Sequence, residues 1–165
     1  MFRASLAGVA LALMATSVAK ADDLVGDTDR AFVETVSQQC LFASHLSGAA
    51  SSQASSPDIK DHGQSAAAQH LKVCLDLKRI ADKWQIGTPG TLETPFSEAY
   101  DRTVGLSGAP FDEAYRMAIA KAGAAQAAAA AAEISTGQNP DLRAFATGAL
   151  ADELRSEMAP AAKAQ

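Results

Sequence analysis

Between residues 59 and 84, apolar, small or aromatic side chains recur at steps of four and three: Ile59, Gly63, Ala66, His70, Val73, Leu77, Ile80 and Trp84. A backbone that turns once in 3.6 residues sets all of them on one face, which a strand of period two cannot do. This rhythm is the packing seam of a helix bundle. The rest of the chain agrees. Aromatic and β-branched residues are few, and no useful run alternates apolar with polar.

The punctuation divides the chain into four long helices. The first is predicted from Asp27 or Thr28, with Asp27 expected to accept a bond from a free backbone N–H at the helix start. Its inner face reads Phe32, Val36, Gln39, Ala43, Leu46 and Ala50. Ser56-Pro57 opens the second helix: Ser56 suits the N-cap, and Pro57 suits a first position whose N–H would be unpaired anyway. Gly87, Pro89 and Gly90 close that segment, and a short extra helix is expected near Ser97 to Val104. The third long helix begins after Gly108, with Pro110 in its first turn and Phe111, Tyr115, Ala118, Ala122, Ala125 and Ala129 inward. Ser135-Thr136-Gly137 breaks it. Asn139-Pro140 caps the fourth helix, whose apolar residues are Leu142, Phe145, Ala146, Leu150, Leu154 and Met158. The fold class is therefore all-α: an antiparallel four-helix bundle with a short extra helix between the second and third long helices.

Ala127 to Ala132 are consecutive alanines, strong helix formers that offer little apolar area. They suit a tightly packed inner helix or a close-contact face for a second copy, hence a homodimer through the third helix. Lys121, Gln126 and Glu133 lie in or beside the run, so it is not read as spanning a membrane.

The first residues read as a leader. Met1-Phe2-Arg3 is a short positive start, residues 4–17 are uncharged and largely apolar, and Ala19-Lys20-Ala21 places small residues at both positions of a cleavage site. The apolar stretch falls short of the roughly 20 residues a spanning helix needs. Residues 1–21 are thus expected to be removed near Ala21, leaving 22–165 as a single domain in the periplasm or secreted. Loss of Arg3 and Lys20 would take the net charge from −5 to −7. An acidic domain has no electrostatic footprint for nucleic acid.

Cys40 and Cys74 are the only cysteines. They lie about 15 and about 18 residues from the turn near Ser55. At a rise of about 1.5 Å per residue the mismatch is roughly 4.5 Å, which an asymmetric loop absorbs. In an oxidising compartment such a pair is expected to form a structural disulfide. The competing reading is a metal or redox site. His70 and Cys74 are four apart on one helical face, and Cys40 and His45 could approach from the first helix, a donor set suited to copper or zinc. A third reading has His70 as a core histidine bonded across the hairpin to a polar group such as Gln39, with His62 exposed. Ser65 and Ser107 lack a His and Asp arrangement, no phosphate loop occurs, and no catalytic residue or organic cofactor is assigned.

Phe32-Val33, Ser55-Ser56-Pro57, Gly63-Gln64 with His70, Leu106-Ser107-Gly108, Phe111-Asp112, Tyr115, Pro140, Leu142 and Phe145-Ala146 occur in an order and spacing that resemble the exported bacterial family called domain of unknown function 4142. The resemblance covers nearly all of the mature chain and implies a ferritin-like four-helix bundle. It also shows departures. Where the family carries an inward Glu in the first helix, this chain has Ala43. Its Asp-His pairs become Gln69-His70 and Ala122-Gly123, and no His follows the second helix. A dimetal centre needs several carboxylates and two His on the bundle axis. The resemblance therefore implies that this member has lost such a site. Three functions follow as expectations: a non-catalytic exported bundle with a structural, stress-related or interaction role; a metal-binding or redox protein using His70 with Cys40 and Cys74; and a bundle that binds a small apolar ligand where the Ala-rich helix underfills the core.

Overall fold

A computed structural model describes residues 24–158. The expected leader (1–21) and its cleavage point lie outside the described residues. Every long element among those residues is helical: α1 (Asp27–Gln53), α2 (Pro57–Lys83), α3 (Phe96–Val104), α4 (Ala109–Thr136), α5 (Pro140–Thr147) and α6 (Ala149–Met158).

Side-chain bonds define how the helices run. Cys40 is bridged to Cys74, and the Ser44 hydroxyl donates to the Ala67 carbonyl at 3.0 Å, so α1 and α2 are antiparallel. Thr28 meets Thr136 at 3.3 Å and Ser47 meets Tyr115 at 3.1 Å, so α4 also runs against α1. The Lys83–Asp141 and His70–Glu153 contacts, both 2.6 Å, set α5 and α6 against α2. Because α2 and α4 share a direction, the connector with α3 must travel the length of the bundle. Gln38 anchors it, donating to the Thr91 carbonyl and accepting from the Glu93 N–H, both at 3.2 Å. Phe96 of α3 packs on Phe42 with ring centres 6.2 Å apart.

Close approach of α1 and α2 depends on Gly63. A Cβ there would stand 2.7 Å from the Ser47 carbonyl oxygen and 2.9 Å from both Ala50 Cβ and Ser51 N. Two apolar clusters fill the bundle. One contains Phe32, Val36, Val73, Leu77, Phe145 and Leu150; the other contains Phe42, Leu46, Ile59, Phe111 and Tyr115.

Several local expectations are corrected. At the start of α1 the cap is made by Asp29 rather than Asp27, with the Gly26 N–H donating to its carboxylate at 2.6 Å. Ser56 makes no side-chain cap on α2. Instead Asp112 reaches from the first turn of α4 and accepts from the N–H groups of Ser55 and Ser56, both at 2.9 Å. Asn139 caps α5 as expected, accepting from Asp141 and Leu142. The fourth helix is not continuous: Gly148 adopts φ −104°, ψ −101°, outside the helical region, and splits it into α5 and α6. On α4 the inner positions after Ala122 are Gln126, Ala130 and Glu133, so Ala125 and Ala129 are only half-buried. On α1, Gln38 is buried and Gln39 is not.

Candidate functional site

Between the two apolar clusters lies a polar layer that joins α2 to α6. His70 follows Ala66 and precedes Val73 on the buried face of α2, so helical spacing carries it into the core. Its ring does not reach Gln39. Glu153, three residues past buried Leu150, points back from α6 and places Oε1 2.6 Å from His70 Nδ1. Both side chains are almost wholly enclosed, 3% and 2% exposed. Glu157 follows one turn later. Its Oε1 is 3.7 Å from His70 Nε2, and its Oε2 is 3.3 Å from His62 Nε2. His62, expected to be exposed, is half-buried here and packs edge-on to Tyr115 at 6.1 Å between ring centres. Gln69 donates to Ser156 at 2.7 Å beside the layer.

The electrostatics follow from these contacts. The Glu157 hydrogen bond holds the His62 imidazole above its ordinary range, burial opposes this, and the Glu157 charge adds to it. Burial pushes the Glu157 carboxyl up, but the His62 bond and the charges of His70 and His62 together carry it below the usual range. Burial also pushes the Tyr115 phenol up to about 12, so it remains a neutral partner of Ser47. Two atoms in the layer are left without a partner: His70 Nε2 and Glu153 Oε2.

A second polar cluster closes one end of the bundle. Asp29 of α1 accepts the N–H groups of Gln138 and Asn139 at 3.1 and 2.8 Å, tying the α4–α5 turn to the start of α1. Glu133, at the last turn of α4 and fully buried, has neither oxygen hydrogen-bonded.

The other sequence candidates do not converge. Cys40 and Cys74 are joined to each other, so neither offers a thiolate to a metal or a redox partner while the bridge holds. His45 is exposed against Tyr100, with ring centres 6.1 Å apart, on a different face of α1 from Cys40. The Ser65 hydroxyl is turned onto the carbonyls of Asp61 and His62 in its own helix. Ala43 and Ala122 are buried and carry no donor atom, so the residues at those positions do not fit a ferritin-like dimetal centre. No three His, Cys, Asp or Glu side chains among the described residues stand as a ready-made cage. Open space lies on the surface: one groove of about 230 Å³, lined in part by Leu41, Leu71, Leu75 and Pro89, and another of about 440 Å³ beside Arg30, Glu34 and Ile86.

Glu153 and Glu157 escaped the sequence reading. The signal that could have found them is the spacing Leu150, Glu153, Glu157, which continues the inward rhythm as well as Leu150, Leu154, Met158 does.

No curated protein and no solved structure matches the chain. A family model does match, over residues 12–161, and it carries the description "Domain of unknown function (DUF4142)". With the helical bundle and nearly the whole chain inside that match, this protein belongs to the DUF4142 family.

Proposed function

We propose that the chain is an exported, non-catalytic helix bundle that works outside the cytoplasm in a structural, stress-related or interaction role. The observation that carries the reading is the Cys40–Cys74 bridge between α1 and α2, in a chain that opens with a leader-like segment. Structural disulfides persist in oxidising compartments and are rare elsewhere. No helix among the described residues is long and apolar enough to cross a membrane. The shared direction of α2 and α4, with a long connector between them, supports the ferritin-like arrangement. The test is expression behind the natural leader, followed by cell fractionation and intact mass measurement. The expected product is a periplasmic or secreted chain beginning at Asp22, two hydrogens lighter than its reduced form. A cytoplasmic chain that retains residues 1–21 and two free thiols overturns the proposal.

The interaction role has a surface to use. Met117, Ala120, Ala124, Ala127, Ala131 and Ile134 are all exposed and follow one another at steps of three and four along the outer face of α4. Its opposite face is already buried, so α4 is apolar on two sides, a pattern that calls for a partner on the second. Small side chains admit a second α4 at close range, so the natural occupant is another copy of this chain. Light scattering should report a dimer that Ala124→Glu converts to monomer; a wild-type monomer at high concentration refutes this.

A further inference from the structure

We propose that His62, His70 and Glu157 form a mononuclear binding site for a first-row divalent transition metal ion such as zinc, with Glu153 as its positioning residue. The argument starts from His70. Its Nδ1 lies 2.6 Å from a Glu153 oxygen. In the neutral ring, a carboxylate at that distance keeps the proton on Nδ1, so the lone pair lies on Nε2. That Nε2 is buried and has no hydrogen-bond partner. An unmade hydrogen bond in the interior costs about 1–3 kcal/mol. Metal-ligating histidines are oriented in this way, one nitrogen held by a carboxylate and the other presented to the ion.

The atoms in front of Nε2 are donors of the right kind. Glu157 sits between the two imidazoles, 3.7 Å from His70 Nε2 and 3.3 Å from His62 Nε2. Ligand atoms around one tetrahedral zinc stand roughly 3.3 Å apart, given bonds of about 2.0–2.1 Å. Each imidazole is therefore already near ligand spacing from the carboxylate. Two neutral imidazoles and one carboxylate are a donor set that zinc accepts, with a fourth position left for water. The two glutamates together supply two negative charges against the two positive charges of the ion. Entry is open from the rim, where His62 is 27% and Glu157 15% exposed, while His70 stays enclosed at 3%.

The side chains as placed do not form a cage, because Glu157 is bonded to His62 and the two imidazoles flank different oxygens. Closing the site needs the two rim side chains to turn inward while the His70–Glu153 pair stays in place. A purely structural ion-pair ladder would draw His70 Nε2 into hydrogen-bonding distance of Glu157, whereas the two stand 3.7 Å apart.

The experiment uses the whole mature chain, stripped with a chelator, dialysed, and titrated with zinc by calorimetry and with cobalt by visible absorption. One ion per chain is expected. His70→Ala and the rim variant His62→Gln should each weaken binding by roughly 100-fold or more. Glu153→Gln should weaken it by about 10- to 100-fold, keep the stoichiometry and shift the cobalt absorption bands. His45→Ala, altered on an unrelated face, should change nothing. Circular dichroism on each variant separates lost binding from lost folding, and His62→Gln at the rim serves if His70→Ala unfolds. Failure of the wild-type chain to bind either ion stoichiometrically overturns the proposal. So does binding that survives unchanged in folded His62→Gln.

Discussion

Glu133 lends itself to a sharp test. It is fully buried facing Asp29, and neither of its oxygens is hydrogen-bonded while it is ionised. Burial first, then the bond to Asp29 and the Asp29 charge, push its carboxyl up to about 7, with partial relief from Arg143. Burial also pushes Asp29 up. The N–H groups of Asn139 and Gly26, the Glu133 carboxyl and the Gln138 N–H outweigh that and hold it below its ordinary range. Of the two carboxyls, Glu133 is therefore the one that keeps its proton. A carboxyl whose native pKa lies above its unfolded value binds the proton more tightly when folded. Its contribution is fully present below the unfolded value of 4.5 and is lost as pH rises through about 7. At about 1.36 kcal/mol per pH unit the full span is roughly 3 kcal/mol, of which about 2 kcal/mol falls between about pH 5 and about pH 8. Glu133→Gln keeps the shape and offers an N–H donor at every pH. It should match the parent near pH 5 and exceed it by about 2 kcal/mol near pH 8. Urea unfolding followed by far-ultraviolet circular dichroism at both pH values reads the difference, because every other titrating group is common to the two chains. Equal losses of stability in parent and variant between the two pH values would refute the assignment of the proton.

Three further outcomes follow from the packing. Replacing both cysteines with alanine opens a loop with a sequence separation of 34 and should cost about 3–4 kcal/mol in urea, with the helix content kept near neutral pH. Gly63→Ala gains about 1 kcal/mol of helix propensity but forces a methyl group against the Ser47 carbonyl and the Ser51 nitrogen. Overpacking of that kind costs about 1–3 kcal/mol, so the midpoint should fall, and a rise would show that α1 and α2 part easily. Ser56→Ala should leave the melting temperature unchanged, whereas Asp112→Ala should lower it, because the cap on α2 is made by Asp112. The reverse order in differential scanning calorimetry would contradict that cap.

The elements most legible in the sequence are those set by local chemistry. Pro57, Gly108 and Asn139 mark helix starts through backbone constraints that hold in any surroundings, and Pro57 and Asn139-Pro140 stand where α2 and α5 begin. The cysteine pair was legible because a hairpin of two helices fixes which residues can face each other. The polar layer was not, because it depends on the register of two helices separated by half the chain. Apolar periodicity alone puts Leu154 and Met158 inward on the fourth helix. The break at Gly148 turns α6 so that Glu153 faces His70 instead, while Leu154 moves toward α4 and comes within 3.9 Å of the Cβ position of Gly123. Gly123, inside the Ala-rich helix, stands where that leucine arrives. The same alanines explain why a polar layer is useful at this point. A smooth surface of methyl groups carries few knobs and resists sliding weakly, whereas a buried histidine and glutamate match in one alignment only. A slip of α6 by one turn would set Glu157 opposite His70, leave His62 without a carboxylate and carry Glu153 toward Val73. The layer that holds the candidate site therefore also fixes the position of the last helix on α2.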